Sequence, residues 1–143
     1  LKEAENKNKT LNNLFPMACP AFVPLIEEGI IDNEIMDLTI KYYLDDFMKT
    51  HSIDTLVLGC THYPLISKNL KRIYPGVKII NSSKEAATAV NIELKKYDLL
   101  AEKRLGENVF YASDLSENFM NMIQLILGKY QEELNIRFKN LDL

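Results

Sequence analysis

The sequence predicts an α/β fold with a mainly parallel sheet flanked by helices. Three observations carry that reading. Short apolar runs of strand length alternate along the chain with stretches of helical periodicity. Residues 53–59, built around Thr-Leu-Val-Leu, lack the in-out alternation of a half-buried strand, as a central parallel strand covered on both faces does. Turn and cap signals, notably Asp32-Asn33, Pro75-Gly76 and Ser82-Ser83, fall between these segments.

In chain order, residues 1–14 read as a mostly exposed helix and residues 14–20 as a short strand ending at Pro20. An irregular segment, 21–26, follows and is punctuated by Pro24. Asp32 and Asn33 are capping residues for a helix to about Met48, with Ile35, Leu38 and Tyr42 marking one face. After the strand at 53–59, Pro64 suits the first turn of a helix whose inner face carries Leu65, Leu70 and Ile73. Pro75-Gly76 stops that helix, and 77–80 is another short strand. Ser82 and Glu85 have the spacing of a capping box, opening a helix to about Tyr97. Residues 109–112 form the last expected strand. Asp114 and Glu117 then cap a final helix with Phe119, Ile123, Ile126 and Tyr130 facing inward, ending near Gly128. No repeat of solenoid period and no low-complexity linker interrupts the order.

At 143 residues, with 47% apolar and 26% charged residues, the chain is long enough and ordinary enough for a globular core. A formal charge of −3 gives no electrostatic reason to expect nucleic acid or an anionic membrane as partner. No apolar run approaches the roughly 20 residues that span a bilayer, and the polar start lacks the apolar stretch of a signal peptide. Cys19 and Cys60 do not make a disulfide framework, which points to a reducing, cytoplasmic setting. The chain opens at Leu1 rather than methionine and reads as a piece of something longer.

The chemistry concentrates at Gly59-Cys60-Thr61-His62. In an open parallel sheet, ligands sit beyond the carboxyl ends of the strands, which is where this thiol, hydroxyl and imidazole fall. A following helix start and a nearby imidazole both favour thiolate over thiol, the better base or nucleophile. Thr61, with backbone N–H groups of the same turn, could hold a carboxylate. A cysteine after an apolar run is also often an inert core residue. A Cys-x-His pair could ligate zinc, but only Cys19 and His51 remain as further thiol or imidazole ligands, in unrelated contexts, so no metal is expected. Local physics leaves a catalytic and an inert Cys60 both open.

The segment Gly-Cys-Thr-His-Tyr-Pro at 59–64 resembles the second catalytic-cysteine motif of the glutamate racemases, within the aspartate/glutamate racemase superfamily. Residues 18–27, ACPAFVPLIE, resemble that family's ACPLFVPLVE segment, and residues 79–83 and 110–114 resemble its later strand ends. The resemblance spans nearly the whole chain. It implies interconversion of L- and D-glutamate without cofactor or metal, supplying D-glutamate for peptidoglycan. Two cysteines on opposite faces of the substrate share the work: one thiolate removes the α-proton and the other thiol returns one.

Carried over, Cys60 is one of that pair and His62 assists its proton transfer. Thr61 matches a substrate-carboxylate contact, and Glu27 matches a supporting carboxylate, with Glu28 an open alternative. Cys19 matches a structural cysteine of the family. The Cys-Asn-Thr-Ala-type motif of the other catalytic cysteine, and an early Asp-Ser motif, are not found in this sequence. The resemblance is therefore to the C-terminal half of the family, whose fold has two α/β lobes with the active site between them. On that plan residues 1–82 belong to the second lobe and 83–143 return to the first. Such a chain is expected to be inactive by itself and to self-associate through uncovered apolar faces. The alternatives are an aspartate- or hydantoin-type racemase, or a non-catalytic module that binds a carboxylate.

Overall fold

The computed structural model describes residues 13–103, 106, 109–113, 115–128 and 135–140. The expected helix over residues 1–14 falls almost wholly outside them, as do Asp114 and Tyr130. The order is α1 (Phe22–Glu27), α2 (Glu34–His51), β1 (Thr55–Leu58), a 3-10 turn (Tyr63–Ile66), α3 (Ser67–Ile73), β2 (Lys78–Asn81), α4 (Ser82–Lys96), β3 (Val109–Ala112), α5 (Glu117–Leu127) and β4 (Asn135–Phe138). This is the α/β class expected.

Among the described residues the strands form two separate parallel pairs. β1 runs beside β2 with Thr55 opposite Lys78 and Leu58 opposite Asn81. β3 runs beside β4 with Val109 opposite Asn135 and Ala112 opposite Phe138. Each pair is joined across a helix, as parallel strands must be. No described helix is long and apolar enough to cross a membrane.

Several local expectations need correction. Residues 13–19 form no strand; Pro16 lacks the N–H that a ladder needs. The segment 21–26, expected to be irregular, lies almost wholly in a helix, because Pro24 sits in its first turn, where its missing donor removes no intrahelical bond. Asn33 does cap α2, accepting from the Met36 N–H at 3.0 Å, but the helix runs on to His51. Its buried stripe is Met36, Ile40, Leu44 and Met48, whereas Ile35, Leu38 and Tyr42 face solvent, Tyr42 being 83% exposed. The helix carries two apolar stripes, and spacing alone does not say which one meets α1 and α3. β1 is not covered on both sides within the described residues: Leu58 is buried and Val57 is 62% exposed. At α4 the cap is Asn81, which accepts from the Lys84 N–H, one residue before the expected Ser82. In α5, Phe119 and Ile123 are half-buried, but Ile126 is exposed. β4 was not expected at all; Asn-Ile-Arg-Phe is short and only half apolar.

The core lies where α1, α2, α3 and β1 meet: Phe22, Ile26, Met36, Ile40, Leu44, Leu58, Ile66 and Leu70 are buried together with Cys19 and Met48. Each large side chain withdrawn from water there contributes about 1.5–3 kcal/mol. Among the described residues one polar side chain shares that burial. Asn69 donates to the Ile31 carbonyl and to Asp37 Oδ1, both at 2.9 Å, which fastens α3 to the start of α2. Arg72 closes on the same carboxylate and, chiefly by hydrogen bonding, holds Asp37 below the usual carboxylate range against the opposing pull of burial.

Candidate active site

β1 delivers its carboxyl end, Leu58, to the boundary between core and solvent, and Gly59 to His62 turn there without regular structure. Two hydrogen bonds fix this turn. Ser82 Oγ at the start of α4 donates to the Leu58 carbonyl at 2.6 Å. Tyr63 donates its hydroxyl to the Cys19 carbonyl at 3.3 Å, and its ring meets Phe22 edge to face at 5.4 Å. The second set ties the Cys60 turn to the segment that opens α1. Pro64, second residue of the 3-10 turn, then leads into α3.

This arrangement brings the sequence-predicted residues together. Cys60 Sγ lies 4.0 Å from His62 Nδ1. Thr61 Oγ1 lies 3.3 Å from the same nitrogen. On the other side of the ring, His62 Nε2 is 3.2 Å from Glu27 Oε1 at the end of α1. Glu27, rather than Glu28, is the carboxylate in contact. A carboxylate accepts only, so Nε2 carries a hydrogen and Nδ1 of the neutral ring is the acceptor. The geometry thus aligns thiol, imidazole and carboxylate, with the proton-accepting nitrogen turned toward sulfur. His62 is 31% exposed and Glu27 59%, so the line lies along an open rim.

The two thiols differ sharply. Cys60 is half-buried at the turn. Cys19 is buried in the core, and that burial pushes its thiol up to about 11. Near neutral pH Cys19 stays a protonated, packed side chain. Burial, with smaller contributions from both sulfurs, also raises the Tyr63 phenol, which stays a donor to the Cys19 carbonyl. Sequence reasoning does not single out Tyr63 or Ser82 as positioning groups. Tyr63 acts across 44 residues, and Ser82 looks like a cap until the Leu58 carbonyl is found beside it.

A small cavity of about 160 Å³ adjoins Glu27, lined also by Glu28, Gly29, Asn118, Asn121 and Met122. It brings α5 against the end of α1, and Met122 packs on the core.

Fold and site together define an α/β lobe that presents a thiol–imidazole–carboxylate line at the carboxyl end of a parallel strand. Glutamate racemases are among the proteins that share this chain's sequence and shape. The chain is 46% identical over 115 residues to the glutamate racemase of Persephonella marina, a match covering 80% of this chain and 42% of that protein. It is 40% identical to the glutamate racemase of Aquifex aeolicus over 83% of this chain and 44% of the relative. The glutamate racemase of Francisella tularensis, solved in complex with D-glutamate, superposes with a TM-score of 0.83 at 30% identity, covering 99% of this chain and 52% of its own. No protein-family model matches. The chain spans about half the length of the relatives that it matches.

Proposed function

We propose that this chain supplies one of the two acid/base thiols of a glutamate racemase. The observation that carries the reading is the contact line from Cys60 through His62 to Glu27. On this reading the Cys60 thiolate takes or returns the α-proton of glutamate on one face. His62 accepts and restores the sulfur's proton through Nδ1, and Glu27 supports the imidazolium through Nε2. Thr61 holds the substrate carboxylate. The α-proton of an amino acid is weakly acidic, so a second positioned thiol on the opposite face is required. Cys19 does not meet that need, being buried and protonated.

The same reading makes residues 1–82 the second lobe of a two-lobed enzyme and residues 83–143 the segment that packs on the first. It also implies no cofactor or metal, a cytoplasmic location, self-association, and D-glutamate supplied to peptidoglycan. One observation favours a second reading, a carboxylate-binding module without turnover: only one of the two thiols in this sequence is accessible.

Exchange of the α-proton of D- and L-glutamate in deuterated water tests both readings. The 143-residue chain by itself should give no deuterium incorporation with inversion. In a racemase of the relatives' full length carrying these residues, Cys60→Ser should abolish inversion, since a hydroxyl is too weak an acid to serve as base near neutral pH. His62→Asn should slow it by roughly 10²–10⁴-fold, the usual contribution of a positioned acid/base group. Cys19→Ala should keep most activity. A His62→Asn enzyme within threefold of the parent would remove His62 from the proton path.

A further inference from the structure

We infer that Thr61 gates the proton path between Cys60 and His62, a deepening that rests on the proposed racemase chemistry for its ligand but not for its geometry. Two donors compete for one acceptor. The lone pair of His62 Nδ1 has the Thr61 hydroxyl at 3.3 Å and the Cys60 sulfur at 4.0 Å. Nε2 is committed to Glu27, so the ring has no second acceptor to offer. In this geometry the hydroxyl lies nearer the nitrogen and the thiol stands off at the limit of hydrogen-bond contact.

A carboxylate at the turn changes the competition. It is a stronger acceptor than a neutral imidazole, and charge-assisted bonds of this kind are about twice as strong as neutral ones. The Thr61 hydroxyl turns to it and leaves Nδ1. Cys60 then has that nitrogen to itself: the S–H proton passes to Nδ1, leaving a thiolate beside an imidazolium whose Nε2–H rests on Glu27. The thiolate forms only when an acid substrate is in place. While the Thr61 hydroxyl holds Nδ1, the sulfur stays a thiol, which is slow to oxidise or alkylate.

The test uses the 143-residue chain and the rate at which iodoacetamide alkylates Cys60 near neutral pH, read by peptide mass. Thr61→Val keeps the branched shape and removes the hydroxyl. It should speed alkylation by about two- to tenfold, the factor that release from one competing hydrogen bond supports. Thr61→Ser, which keeps the hydroxyl, should react like the parent. In a His62→Asn background the Thr61→Val effect should vanish. An unchanged rate in Thr61→Val, or an equal acceleration with and without His62, overturns the gate. Adding D-glutamate separates the two ideas. If a racemase of the relatives' full length carrying these residues shows no effect of glutamate on Cys60 alkylation while Thr61→Val still accelerates through His62, the gate stands and the racemase reading of its ligand fails.

Discussion

The molecule contains two strand–helix–strand units of the same topology and strand length, and they are held together differently. In β1–α3–β2 the helix buries Leu70 and Asn69, the strand buries Leu58, and α1 and α2 cover one side. In β3–α5–β4 no described side chain of the helix is buried, and Val109, Phe110, Tyr111 and Phe138 all face solvent. α4, which links the two units, also buries nothing over fifteen residues. Identical backbone topology therefore arises from two sources. The first unit rests on a shared core; the second rests on strand pairing, local helix signals and the contact of Met122 with that core. Large apolar surfaces of the second kind usually meet another surface.

The contrast is broken most easily by cavity mutations. Ile40→Ala, at a fully buried site, should cost about 2–5 kcal/mol of unfolding free energy in urea titrations. Ile126→Ala in α5 removes the same kind of atoms from an exposed position and should stay within about 0.5 kcal/mol. Comparable losses at both sites would mean that α5 is packed against something in solution.

Helix caps sharpen the comparison, because each region has an asparagine doing the same job. Asn33 accepts from Met36 N–H and Asn81 from Lys84 N–H, at 3.0 and 3.1 Å. Removing a cap costs roughly 1 kcal/mol. Asn33→Ala should lower global stability by about that amount. Asn81→Ala should appear mainly as faster hydrogen exchange in α4, with little change in the urea midpoint. A midpoint shift as large as that of Asn33→Ala would tie α4 to the cooperative core.

The smallest effect concerns ion pairs. Asp37 has its carboxyl lowered by Arg72, so its stabilisation is present above the unfolded value, about 3.9, and is lost as pH falls through the folded one. The stability gap between the parent and Asp37→Asn should therefore close below about pH 4. The Lys96–Glu93 pair on α4 is exposed on both sides. Glu93→Gln should track the parent across the same range, as exposed pairs contribute little. A pH-dependent gap there would show α4 in a less exposed setting than its surface suggests.

How much of this was legible in the sequence follows the same division. The strand at Thr55–Leu58, the Pro64 start, the Pro75-Gly76 stop and the turn at Cys60 are readable because their local signals are strong. The wrong face of α2 came from a helix with two apolar stripes, where only tertiary contact selects between them. β4 escaped because its pairing with β3 supplies what its composition does not. At the site, the residue types and their spacing pointed to Cys60, Thr61 and His62. The choice of Glu27 over Glu28 needed the helical turn at Phe22–Glu27, which Pro24 concealed. Tyr63 and Ser82 act through distant carbonyls that no local pattern encodes.

β2 ends at Asn81 and α4 begins at Ser82, with no residue between strand and helix. Ser82 also grips the carbonyl of Leu58, two residues before Cys60. Such a joint behaves as a lever with a very short arm. Fifteen residues of helix span about 22 Å at 1.5 Å per residue. A tilt that moves the far end of α4 by several ångströms displaces Ser82 by only a fraction of one. The pivot of α4 thus sits against the strand end that carries the Cys60 turn, and the joint moves little for a large swing of the far end.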